Sequence, residues 1–158
     1  MRRTPRAERG FTYLGVMFII ALMGLTGAMA SVVWATAQRR DNERELVFIG
    51  RQFSAAIASY QRRPAVAPPR YPRTLEELVR DDRTPTPVRH LRKIYVDPIT
   101  GDSKWGLVRA PDGGIVGVHS VSDREPFPRA KVGPDFKPPP NAKTYRDWVF
   151  TPLQPQDP

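Results

Sequence analysis

Residues 9–38 read RGFTYLGVMFIIALMGLTGAMASVVWATAQ, and from Phe11 to Gln38 not one side chain is charged. No proline interrupts the run, so it predicts a helix of about 42 Å at ~1.5 Å per residue, longer than the roughly 30 Å of a bilayer's hydrocarbon core. The ten residues before Phe11, MRRTPRAERG, carry four arginines and one glutamate. Such a cluster holds its end of the chain on the cytoplasmic side and sends the carboxyl-terminal part across the membrane. Beyond the run, Arg39, Arg40 and Arg44 are offset by Asp41, Glu43 and Glu45, so the charge asymmetry keeps its direction. The expectation is a single-pass chain with an exported domain.

Three physical readings of this segment stay open. In the first, the basic leader, the apolar run and Ala28-Met29-Ala30 form a signal peptide, and a soluble exported domain begins at Ser31; signal cores run about 7–15 residues, and this one continues past the alanines. In the second, the helix is an uncut anchor. In the third, a leader of residues 1–10 is removed at Gly10, Phe11 becomes the new amino terminus, and the apolar helix of residues 11–38 stays in the membrane.

The third reading carries a resemblance. Arg9-Gly10-Phe11-Thr12-Tyr13-Leu14, set between a basic leader and an unbroken apolar helix, resembles the processing site of type IV pilins and of the pseudopilins of type II secretion systems. The resemblance implies cleavage between Gly10 and Phe11 by a prepilin peptidase, and N-methylation of Phe11. It implies storage in the bacterial inner membrane, with the carboxyl-terminal domain in the periplasm. It further implies assembly through Phe11, Leu14, Gly15, Val16, Ile19 and Ile20, with other pseudopilins and the inner-membrane secretion platform as partners. The implied role is that of a structural subunit of a pseudopilus for protein export, not an enzyme. Where the family carries a glutamate that neutralises a neighbouring subunit's amine, this chain has Gly15. An unpaired ammonium in an apolar interior is costly, so a minor or tip position fits better than a filament of this protein alone. Gly24 and Gly27 allow close helix approach.

After Gln38, Leu46, Ile49, Phe53, Ile57 and Tyr60 recur every three or four residues, which predicts an amphipathic continuation of the helix over 39–63. Pro64, Pro68, Pro69 and Pro72 end it. Residues 64–122 then read as a small α+β domain. Thr74-Leu75-Glu76-Glu77 matches a capping box, Val88 to Tyr95 predicts a short turn of helix, and Asp97-Pro98-Ile99-Thr100-Gly101 a turn. Strands are predicted over Trp105 to Arg109 and Ile115 to Val121, joined by the hairpin signal APDGG. The predicted class is α+β: a long helix packed on a small antiparallel sheet. Tyr71, Pro72, Thr74, Leu75, Leu78, Asp97, Pro98 and Gly101 follow a segment order similar to G-type pseudopilins, implying a pilin-like fold. The stretch 123–158 holds nine of the eighteen prolines and reads as an extension, with Tyr145, Trp148 and Phe150 returning to cover the sheet as an edge strand.

Catalytic and metal chemistry has little to stand on. The chain has no cysteine, which excludes disulfides, thiolate nucleophiles and Cys-based zinc sites. His90 and His119 stand outside metal-ligand spacing and read as surface or half-buried residues, and His119 and Ser120, adjacent on a strand, point to opposite faces. G-type pseudopilins imply a carboxyl-side calcium loop, but Asp97, Asp102 and Asp112 match no defined loop and read as turn-capping residues; no cofactor is expected. The net charge of +9 raises a different class, a minor type IV pilin contacting DNA or a surface through Arg89, Arg92 and Lys93. Those cations lie among acids, so nucleic acid is not the expected partner.

Overall fold

The computed structural model describes residues 9–63, 70–127 and 136–152, with side chains for these except at 9–12 and 25–33. The leader before Arg9, the prolines Pro64, Pro68 and Pro69, and the surroundings of Phe11, Gly27 and Ala28-Met29-Ala30 lie outside the described residues. The elements are helix α1 (Arg9–Gln61), helix α2 (Glu76–Val79), strands β1 (Gly106–Arg109) and β2 (Ile115–His119), and a 3-10 turn at Tyr145–Asp147. The class is α+β with a small antiparallel sheet. Two compact units divide at residue 39, Met1–Arg39 and Arg40–Pro158.

In the second unit the stripe read from the sequence is the core face of α1. Leu46, Ile49, Phe53, Ile57 and Tyr60 are all buried, with Val47 and Ala56 widening the stripe. Each large apolar side chain so placed contributes about 1.5–3 kcal/mol. Phe53 is the pivot, its ring centroid 5.1 Å from Trp105 and 6.3 Å from Tyr95. Trp105 is oriented by its indole N–H, which donates to the Tyr95 carbonyl at 2.8 Å.

The hairpin forms where APDGG predicted it. Gly113 adopts a φ of +84°, a conformation that only glycine takes at no steric cost. The Asp112 carboxylate accepts the Gly114 N–H at 3.0 Å, and the Ala110 N–H donates to the Gly114 carbonyl at 2.8 Å. β1 and β2 pair antiparallel from Gly106↔His119 to Arg109↔Ile115, with an irregularity between Val108 and Arg109.

The carboxyl-terminal stretch returns to the sheet. Phe150 and Val118 exchange backbone hydrogen bonds of 3.1 and 2.8 Å, an antiparallel bridge on the edge of β2 away from β1. The Phe150 ring stacks on Phe136, which also meets Trp148. Gly50 of α1 is the seat of this strap, because a Cβ there would collide with the Phe150 ring. A helical glycine costs roughly 1 kcal/mol relative to alanine, offset here by the close approach it allows. The boundary drawn at residue 122 is therefore no break in packing: Phe136, Tyr145, Trp148 and Phe150 belong to the core.

Two local expectations are corrected. Thr74 does not cap α2, which begins later, after Leu75, without a side-chain cap; Glu77 is drawn elsewhere, accepting the Tyr60 hydroxyl at 2.6 Å and the Arg73 N–H at 3.2 Å. A capping box does form, at Thr144 and Asp147. Val88 to Tyr95 is not helical, because Val88 pairs in antiparallel fashion with Asp81, and His90 and Leu91 both donate their N–H to the Leu78 carbonyl. Among the described residues no helix is long and apolar enough to cross a membrane; the side chains at 25–33, inside the uncharged run, are not among them.

Candidate functional site

The sequence-predicted assembly residues lie on α1 in the first unit. Gly10 and Phe11 fall in its first turn. Tyr13, Leu14, Val16, Met17, Phe18, Ile19, Ile20, Leu22 and Met23 are each more than half exposed. Successive helical positions are rotated by about 100°, so this run is apolar all round and presents no polar face to water. Nothing lies within 4 Å of where a Cβ would stand at Gly15 or Gly24. Such an all-round apolar, exposed surface has the character of a segment that packs against lipid or other helices.

The second unit is fastened to α1 by buried polar groups that the sequence did not reveal. Glu43, read there only as one of three acids offsetting nearby arginines, is buried. One carboxylate oxygen accepts the Phe127 N–H at 2.8 Å and the Tyr145 hydroxyl at 2.7 Å, tying two points of the carboxyl-terminal strap to the helix. The signal was present in the spacing, since Glu43 lies three residues before Leu46 and so on the inward face.

A second network closes on the last turns of α1. The Arg83 guanidinium forks onto Asp81, with Nε to Oδ1 at 2.9 Å and an Nη to Oδ2 at 2.8 Å, and also donates to the Tyr60 carbonyl at 2.9 Å. Its carbon lies 3.5 Å from the Tyr60 ring centroid, a cation over an aromatic face. His90 Nε2 lies 3.2 Å from Asp81 Oδ2, and Nδ1 lies 2.8 Å from Ser59 Oγ. A carboxylate only accepts, so Nε2 carries the proton and, in the neutral ring, Nδ1 accepts from Ser59. His90, expected to be a surface or half-buried residue, is half-buried as a whole, with its side chain only 3% exposed.

The electrostatics follow from this geometry. Hydrogen bonds from the Arg83 side chain hold the Asp81 carboxyl well below the usual range, against the opposing effect of burial. The same contact raises Arg83. Burial, then the bond to Glu77, pushes the Tyr60 hydroxyl up to about 12. The Ser59–His90–Asp81 chain has the residue types of a proton relay. Its carboxylate is bonded on both oxygens by Arg83, which in turn donates to the Tyr60 carbonyl, so the chain fastens the loop to the last turns of α1.

The three aspartates weighed for calcium each serve a turn. Asp97 accepts the Ile99 N–H at 2.9 Å and the Ser120 hydroxyl at 2.6 Å, Asp102 accepts the Ser103 N–H at 2.7 Å, and Asp112 serves Gly114. Among the described residues no cluster of three or more His, Cys, Asp or Glu side chains is arranged to hold a metal. His119 does not reach the Ser120 hydroxyl; its Nδ1 contacts the Ser120 carbonyl at 2.8 Å, and its ring occupies the space beside Gly106. In comparisons with known proteins, no family model, no curated protein and no solved structure matches the chain.

Proposed function

We propose that this chain is a pseudopilin-like structural subunit of a type II secretion system. It is cut after Gly10, stored in the inner membrane through α1, and assembled by that helix into a periplasmic filament that drives protein export. The observation that carries the reading is the all-round apolar, exposed run from Tyr13 to Met23, continuous in one helix with the spine of a small α+β domain. The first segment has no use in water. The second gives it a load to carry. The pilin-like fold, the non-enzymatic role and the partners (prepilin peptidase, sister pseudopilins and the assembly platform) belong to this proposal. With Gly15 in place of a carboxylate, the amine of Phe11 finds its counter-charge on another type of subunit, which places this chain at a minor or terminal position.

The absence of native cysteine makes the test clean. Copies carrying Val16→Cys or Ile19→Cys, co-expressed with secretion machinery whose sister pseudopilins carry a cysteine at the corresponding helix positions and oxidised in membranes, are expected to form disulfide-linked heterodimers, whereas copies carrying only Ser103→Cys in the exposed loop are not. Monomers alone at every helix position would refute helix-mediated assembly.

A further inference from the structure

We propose that Tyr13 and Trp34 are the interfacial anchors of α1, setting its register in a phospholipid bilayer so that the hydrocarbon layer begins at Tyr13 and ends at Trp34. The inference rests on the membrane storage proposed above and adds the two side chains that fix its depth. They are the one tyrosine and the one tryptophan of the first unit. The other Tyr and Trp side chains, Tyr60, Tyr71, Tyr95, Trp105, Tyr145 and Trp148, all belong to the core of the second unit or pack against it. Tyr13 and Trp34 are 68% and 76% exposed and belong to no core.

Tyr13 and Trp34 stand 21 positions apart on one unbroken helix, about 32 Å at ~1.5 Å per residue, against roughly 30 Å for the hydrocarbon core of a bilayer. The nearest charges outside them give a second match. Arg9 lies four positions before Tyr13 and Arg39 five after Trp34, a separation of 30 positions that spans about 45 Å. A bilayer with its headgroup layers measures about 40–45 Å. Both arginines therefore fall at headgroup depth, and each aromatic ring at the boundary beneath. The proposed cut after Gly10 removes Arg9 but sets the amine of Phe11 two positions from Tyr13, so the register survives processing.

The residue types suit that boundary. Phenol and indole rings are apolar bodies with one hydrogen-bonding tip, and they collect where hydrocarbon meets headgroups. From Leu14 to Met23 no side chain is polar, and beyond Trp34 the helix turns polar at Gln38, Arg39, Arg40 and Asp41. A protein partner covering the same run needs neither end marked by an amphipathic ring. A lipid layer of fixed thickness does.

The test uses the full chain in vesicles of phosphatidylcholine and phosphatidylglycerol whose acyl chains carry bromine either near the headgroup or near the bilayer centre. Trp34 emission is the difference between the parent and Trp34→Phe, since Trp105 and Trp148 are buried in the second unit and contribute to both. For Trp34 the ratio of shallow to deep quenching is expected above one. For Met23→Trp in the Trp34→Phe background, midway between the two anchors, it is expected below one. A Trp34 ratio at or below one overturns the register, as does Trp34 quenched by aqueous iodide and by neither lipid. With Met23→Trp still quenched by deep bromine, either result leaves membrane storage standing. A ratio above one for Met23→Trp places the bilayer elsewhere on α1 and also overturns the register. Loss of lipid quenching at both positions overturns the register and membrane storage together.

Discussion

Asp81→Asn is expected to lower the unfolding free energy of the second unit by about 3–5 kcal/mol, the loss seen when one partner of a buried ion pair is removed. Asparagine keeps the volume but leaves the Arg83 guanidinium, 8% exposed in the folded chain, without its counter-charge, and replaces one of the two acceptor oxygens shared by Arg83 and His90 with an NH2 donor. The thermal midpoint should fall by roughly 10–20 °C. Asp82→Asn is the control. It breaks the Arg80–Asp82 pair, whose side chains are mostly exposed and screened by solvent, and should leave the thermal midpoint close to that of the parent. Acidification provides a second readout. Because the folded Asp81 carboxyl lies below its ordinary value of 3.8, the unfolded chain takes up that proton first as pH falls. The stabilisation is thus complete above about pH 5 and is lost progressively as pH drops below about 4 toward the folded value. This part of the acid sensitivity should be missing from Asp81→Asn. Equal midpoints for the two variants would show that the network does not hold the loop to α1.

The second large effect concerns the membrane. Ile19→Asp with Ile20→Asp places two carboxylates in the apolar run, at up to about 2.5–3.5 kcal/mol each near a helix centre. A combined cost of about 5 kcal/mol shifts partitioning by more than a thousandfold. The parent chain is expected in carbonate-washed membranes and the double variant outside them. A parent chain recovered in the soluble periplasmic fraction would instead support removal of the run as a signal peptide.

How much of this was legible beforehand depends on how local the cause was. The stripe from Leu46 to Tyr60 and the APDGG hairpin were readable because each is set by residues a few positions apart: a period near 3.6, and a glycine that the turn requires. The return of Phe150 to β2 was readable in outline, because three aromatics at 145–150 need cover. The Asp81–His90–Ser59 network was not, since Ser59 and His90 meet across 31 positions and neither end carries a local signal. The same distance effect explains the failed capping box at Thr74, where Tyr60 claims Glu77 from another element. Glu43 lay between these cases. Its spacing placed it on the buried face, but its charge suggested solvent, and only the positions of Phe127 and Tyr145 show what it is for.

For the candidate assembly run, the apolar pattern was legible and the partner was not. Tyr13 to Met23 is apolar all round; in the proposed reading, what covers it depends on processing at Gly10. The direct measurement is therefore the intact mass and amino-terminal sequence of the mature chain from cells carrying a prepilin peptidase. A chain beginning at N-methylated Phe11 is predicted. A chain beginning at Ser31, or one retaining Met1, would contradict the account.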